Sequence, residues 1–236
     1  MKGTLADRVH DGRLLVKICG ITSPADAALA VEAGADALGF VFWFMSPRRV
    51  DPARAAEIAR DLPESVLRVG VFVDRPREEM DGIAEAVGLD LLQLHGDEPP
   101  EALAGLSRPV LKAVRVGKGF DAEEALRYSR CAAGLVVDTR LPGETQMPGG
   151  TGIAFDWSLV KGLADRVPFL MLAGGLSPLN VAEAVRAVGP HAVDVSSGVE
   201  GLPGRKDPTK VRAFVKAARA AEKEGRVRTT ARSGPA

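Results

Sequence analysis

The chain has 236 residues, 46% of them hydrophobic and 26% charged, with 31 basic and 31 acidic side chains and a formal net charge of zero. That composition excludes a disordered or membrane-embedded chain, and the balanced charge gives no electrostatic reason to expect a nucleic acid or an anionic membrane as partner. Two cysteines, Cys19 and Cys131, cannot build a disulfide framework and have no neighbour at metal-ligand spacing, so reduced thiols in a cytoplasmic protein without a bound metal are expected.

Residues 1–13, MKGTLADRVHDGR, lack the apolar stretch of a signal peptide and read as an N-terminal extension. From Leu14 onward two textures alternate. Short runs of Val, Leu and Ile predict strands over 14–19, 36–42, 66–73, 90–94, 109–115, 134–138, 168–173 and 192–196. These runs are strongly apolar and mostly do not alternate, as expected of parallel strands covered on both faces. Between them, Ala- and charge-rich stretches predict helices over roughly 24–33, 52–61, 77–87, 98–105, 121–128, 155–163, 178–188 and 207–222. Met80, Ile83, Ala84 and Val87 make one apolar face, and Val211, Phe214, Val215 and Ala218 make another. Ser23-Pro24, Ser177-Pro178 and Asp207-Pro208 each offer a capping side chain before a proline at the first helical position.

Eight strand–helix units in this length predict a single closed (β/α)8 barrel of the TIM type over 14–222, an α/β fold with an eight-stranded parallel sheet. The main rival, a doubly wound open sheet, usually stops at five to seven strands, and no GxGxxG follows the first strand here. Residues 139–154, TRLPGETQMPGGTGIA, read as a long Gly/Pro-rich loop of the kind that often serves function. Residues 223–236 lack apolar periodicity and read as a disordered basic tail.

A barrel of this type builds its site at the C-terminal ends of its strands. The residues there are Cys19-Gly20, Arg48 and Arg49, His95, Asp138, Gly174-Gly175, and Asp194 followed by Ser196-Ser197-Gly198. Glycines after strand seven and a Ser-Ser-Gly turn after strand eight suit a phosphate, and hence a small phosphorylated substrate. An ionised Asp138 ending the apolar run GLVV is costly unless it is paired or working; a loop-capping aspartate is the alternative. Cys19 is either a packed thiol or a working one, with Gly20 leaving room for substrate. His95 suits an acid, a base or an orienting group. Arg48 and Arg49 suit either a bidentate carboxylate clamp or a solvated surface. Lys112, within strand five, suits a Schiff base or an interior ion pair.

These strand ends, in order, carry VKICGIT, SPRRV, LQLHGDE, VVDT, GGTG with FDW, LAGGLSPLNV and DVSSGVEGLPGRKD. Together they resemble the phosphoribosylanthranilate isomerase family of tryptophan biosynthesis, over about Val16 to Phe214. The resemblance implies an Amadori rearrangement with no redox cofactor and no metal. It implies Cys19 as general base, Asp138 as general acid, and Arg48 at the anthranilate carboxylate. It also places Gly174, Gly175, Ser196, Ser197 and Gly198 at the phosphate, and His95 and Asp194 near the substrate. Two departures stand out: Ile153 replaces a loop lysine common in the family, and Trp43, Phe44 and Met45 precede Arg48, making the aromatic part of the site more apolar or changing packing alone. Monomer and homodimer both remain open. Rival readings are the histidine-pathway isomerase, which has an aspartate where this chain has Cys19, and a non-catalytic ligand-binding barrel.

Overall fold

The computed structural model describes residues 12–139 and 154–232, the side chains of 225–232 excepted. Eight parallel strands close into a barrel in strict sequence order: β1 Leu15–Cys19, β2 Ala37–Val41, β3 Leu67–Phe72, β4 Leu91–Leu94, β5 Val110–Val116, β6 Gly134–Thr139, β7 Leu170–Leu172 and β8 Ala192–Val195. Closure comes from β1 pairing with β8 across Leu15/Ala192 to Ile18/Val195. The eight strands expected from the apolar runs are all present.

Strand side chains alternate between two cores. Val16 and Ile18 face outward into the large core between barrel and helices, with Leu38, Phe40, Phe72, Leu92, Leu135 and Val193. Leu15 faces inward and fills the barrel with Leu67, Val69, Leu91, Leu111, Val136, Phe169 and Met171. Lys17 and Cys19 share that inward face, above the apolar layer. Both faces of each strand are therefore buried, which is why the strands read as continuous apolar runs.

The helices are α1 Pro24–Glu32, α2 Pro52–Arg60, α3 Arg77–Val87, α4 Ala122–Leu126, α5 Val181–Val188 and α6 Pro208–Arg232. Ser23 caps α1 by accepting from Asp26 N, and Asp207 caps α6 by accepting from Thr209 N and Lys210 N. Ser177 Oγ accepts from Leu179 N at 3.3 Å, but the turn it caps is not yet α-helix. Asn180 turns back onto it: its side chain accepts from Ser177 N and donates to Gly175 O, and α5 begins only at Val181. The helices expected over 98–105 and 155–163 are realised as short 3-10 turns, Pro100–Leu103 and Trp157–Val160 with Leu163–Arg166. Helix α6 is described as far as Arg232, within the stretch 223–236 read as a disordered basic tail, and residues 233–236 lie outside the described residues. The N-terminal extension up to residue 11 and the loop over 140–153, with Ile153, lie outside the described residues. No described helix is long and apolar enough to cross a membrane.

Candidate active site

The C-terminal ends of the strands open on one cavity. Its lining includes Cys19, Gln93, Asp138 and Asp194 from strands β1, β4, β6 and β8, and Trp43, Arg48, His95, Gly174, Gly175, Ser196 and Ser197 from the loops that follow strands. Of the residues singled out from the sequence, Cys19, Arg48, His95, Asp138, Gly174, Gly175, Asp194, Ser196 and Ser197 converge here, whereas Gly20, Arg49, Lys112 and Gly198 are not in the lining. Gly198 packs against the loop after β7. A Cβ at Gly198 would lie 1.9 Å from the Leu176 carbonyl oxygen, so the glycine lets the loops after β7 and β8 lie against each other.

On β1, register sets the chemistry. Lys17 lies beside Asp194 of β8, and Cys19 lies beside Gly39 of β2. Lys17 is fully buried, and its Nζ donates to Asp194 Oδ2 at 2.8 Å. Asp194 Oδ1 is buried with no hydrogen-bond partner among the described residues, so it is an acceptor waiting at the cavity wall. Burial pushes the Cys19 thiol above its ordinary value, opposed by the charge of Lys17 and reinforced by Asp194. For Lys17 burial works downward, but the carboxylate of Asp194 and the Cys19 side chain outweigh it and hold the amine above its ordinary value. Sequence reasoning missed Lys17. The available signal was a lysine two residues before Cys19 inside an apolar run, which places both on one face of the strand.

Gly20 does not serve as expected. It has φ +74°, and a Cβ there would meet Arg48 Cδ at 2.8 Å and Ser196 Oγ at 3.1 Å. The space beside it is occupied by protein, and the glycine permits Arg48 to cross over the strand end. Arg48 binds Glu200 in bidentate fashion, Nε to Oε1 and Nη2 to Oε2, both at 2.9 Å. Lys206 also reaches Glu200 Oε1 at 2.9 Å. Burial works to raise the Glu200 carboxyl, but these two cations outweigh it and hold it below its ordinary value. Two of the five guanidinium N–H groups are therefore committed, and the remainder are what a substrate carboxylate would meet. Arg49 points elsewhere, toward the Phe44 carbonyl on the surface.

Asp138 is held on both oxygens. Thr139 N donates to Oδ1 at 2.7 Å, and His95 Nε2 lies 3.1 Å from Oδ2. Gln93 Nε2 sits 3.3 Å from His95 Nδ1, which fits a ring that accepts on Nδ1 and donates from Nε2. Gln93 Oε1 is left buried without a described partner, on the cavity wall. Gly174, at φ +78°, makes the arrangement possible, since a Cβ there would lie 2.7 Å from Asp138 Oδ1 and 2.3 Å from Thr139 Oγ1. Apolar walls come from Val41, Val71, Val73 and Trp43. Trp43 packs with Cys19, Val41 and Val71, whereas Phe44 and Met45 are exposed and take no part in the lining. Lys112 is an interior ion pair: its Nζ reaches Glu98 Oε2 at 3.0 Å and Gly96 O at 2.7 Å, away from this cavity.

The cavity therefore combines a buried thiol, a doubly held carboxyl, a positively charged edge at Arg48 and two apposed glycine-serine turns. Comparison with known proteins points to one family. A family model described as N-(5'-phosphoribosyl)anthranilate (PRA) isomerase matches residues 16–217. An N-(5'-phosphoribosyl)anthranilate isomerase of Pseudomonas aeruginosa is 52% identical over 209 residues, covering 89% of this chain and 97% of its own. The crystal structure of phosphoribosyl anthranilate isomerase from Thermotoga maritima superposes with a TM-score of 0.82 at 45% identity, covering 88% of this chain and all 100% of that one. A phosphoribosyl anthranilate isomerase in complex with reduced 1-(o-carboxyphenylamino)-1-deoxyribulose 5-phosphate superposes with a TM-score of 0.79 at 43% identity, over 88% of this chain and 100% of that one.

Proposed function

The chain belongs to the N-(5'-phosphoribosyl)anthranilate isomerase family of tryptophan biosynthesis, and we propose that its rearrangement runs on two side chains, Asp138 as general acid and Cys19 as general base. The observation that carries this reading is that both groups, drawn from β6 and β1, line one cavity together with the glycine-serine turns.

The substrate is N-(5-phosphoribosyl)anthranilate. Its phosphate sits at Gly174-Gly175 and Ser196-Ser197, whose backbone approaches the cavity without bulky side chains. The ligand of the structural neighbour carries the same two ends, a phosphate and a carboxyphenyl group, and supports a ligand of this class. The anthranilate ring lies against Trp43, Val41 and Val71, with its carboxylate at the Arg48 edge that Glu200 leaves open. Gripping both ends fixes the sugar between acid and base, where orientation contributes most.

Asp138 protonates the furanose ring oxygen, the C1–O bond breaks, and a protonated imine forms at C1. Cys19, as thiolate, takes the proton from C2, and the released electron pair makes the enolamine. The enolamine tautomerises to the ketone, 1-(2-carboxyphenylamino)-1-deoxyribulose 5-phosphate. His95 and Thr139 N fix the orientation of the Asp138 carboxyl. Asp194 Oδ1 and Gln93 Oε1 accept from sugar hydroxyls.

Loss of anthranilate-ring fluorescence as substrate is consumed tests this directly. Cys19→Ala and Asp138→Asn should each lower kcat by about 10²–10⁴, the usual scale of acid–base catalysis, with unchanged circular dichroism. Near-normal turnover in either variant removes that residue from its role. Arg48→Ala should act chiefly on KM.

A further inference from the structure

We propose that Lys17 is a positioning residue for Cys19: its buried ammonium, anchored by Asp194, is the counter-charge that makes the thiolate attainable inside the barrel. The inference rests on the reading of Cys19 as the base and adds what that base requires.

A lysine with no exposed surface needs a reason to be there, since an unpaired buried charge is heavily penalised. Asp194 supplies part of the reason, through Nζ to Oδ2 at 2.8 Å. One carboxylate oxygen leaves other ammonium protons to be placed, and Cys19, two residues on along the same face of β1, is the neighbouring side chain whose charge Lys17 acts on. The two side chains share one small space. A Cβ on Gly39, opposite Cys19 in register, would lie 2.6 Å from Cys19 Sγ and 3.1 Å from Lys17 Cε. The missing side chain at Gly39 is therefore what lets the Cys19 thiol and the end of the Lys17 side chain lie side by side.

The charged groups around Cys19 are few and of mixed sign. Lys17 comes from β1, Asp194 from β8, and Lys206 from the hairpin of Glu200–Leu202 and Arg205–Lys206. Lys206 is already bound to Glu200 and to Ser196 O, and Arg48 is bound to Glu200 as well. From β2 comes only Gly39, and His95 and Asp138 belong to the loop after β4 and to β6. Lys17 is thus the cation placed to act on the thiol itself. Burial and Asp194 push the thiol up; Lys17 and, less strongly, Lys206 pull it down. Asp194 plays two parts: it raises the thiol directly while keeping Lys17 charged. When the thiolate takes the C2 proton the pair becomes ammonium and thiol, and Lys17 is neither consumed nor required to touch substrate.

The test reads the thiol and not the turnover. In a Cys131→Ser background, which removes the exposed second cysteine, carboxamidomethylation of Cys19 by iodoacetamide is followed by mass across pH. The midpoint of that profile reports proton affinity, whereas its height reports access. Lys17→Gln, which keeps a donor for Asp194 but no charge, should move the midpoint upward by about one unit or more; Lys17→Arg should hold it near the wild-type position. Because Lys17→Gln changes the barrel interior, a second measurement uses Cys19→Ala and follows lysine Cε signals by NMR. Coupling is mutual, so Lys17 should titrate at lower pH once the thiol is gone. An unmoved midpoint in Lys17→Gln, or an unmoved Lys17 titration in Cys19→Ala, overturns the proposal. Wild-type turnover in Cys19→Ala would instead overturn the base assignment and leave the coupling intact, so the two failures are distinguishable.

Discussion

A thiol that burial holds above its ordinary value is a scarce base and a strong one. At neutral pH the thiolate is the minor form, and each step in the alkaline direction enlarges it until the midpoint is passed. The expected consequence is a rising limb in log kcat/KM from neutrality upward. That limb belongs to Cys19, so the residual activity of Cys19→Ser should lack it, and a variant that keeps it would show that another group titrates. At this scale the sequence was partly legible. Cys19, Asp138 and the two loop turns stood out because they end apolar runs, and the closed barrel brings strand ends together. Lys17 did not stand out, because an interior lysine looks like any lysine until the strand's inward face is known. Nor did the ion pair of Arg48 with Glu200, whose partners are 152 positions apart and meet only through closure. Gly20 was misjudged because a glycine's empty side can be claimed by a neighbouring side chain as readily as by a ligand.

Strands were legible almost residue by residue, whereas the coverings were not. A parallel strand buried on both faces announces itself by composition. A connection that needs only to cross the outside can do so as α-helix or as a 3-10 turn with the same apolar anchors. Leu103 and Val160 are buried although the elements that carry them are single turns. The shortest strand of the barrel, β7, has three residues and receives help from outside the ladder: Leu170 N donates to His191 Nδ1 at 2.9 Å, and the imidazole stacks near Phe169. Burial holds His191 below its ordinary value, against a small opposing pull from Asp165. Because the folded value is depressed, the stabilisation is present above the unfolded histidine value, about 6.5, and is lost as pH falls through the lower folded value. His191→Ala should therefore cost about 0.5–1.5 kcal/mol at pH 8, the usual worth of one hydrogen bond. The gap between variant and wild type in urea midpoint should narrow on acidification, and a gap constant between pH 8 and pH 5 would exclude the imidazole as the source.

Across the whole molecule, the two ends of the barrel are built for different work. The end opposite the cavity is tied by Asp36, buried just before β2, which accepts from Val16 N at 2.8 Å, from Arg219 of α6 at 2.5 Å and from Arg13. Arg219 also donates to the carbonyls of Leu14 and Gly34, so one arginine of the last helix clasps the start of the first strand. Asp36→Ala should lower stability by about 1.5–3 kcal/mol, the range for hydrogen bonds to charged groups, while kcat stays at the wild-type value. A fall in kcat without a fall in melting temperature would contradict this division.

Beneath Cys19 and Lys17 the inward side chains of Leu15, Leu67, Leu91, Leu111, Phe169 and Met171 leave the barrel filled. Among the described residues the cavity is a vessel with one door. Product must leave by the way substrate entered, and a departing molecule blocks its successor until it clears the rim at Trp43 and Ser197. Product and substrate present the same phosphate and the same ring to the same walls, so traffic through the door is shared by both. Added product should slow turnover by competing for that single entrance, raising apparent KM and leaving the maximal rate alone.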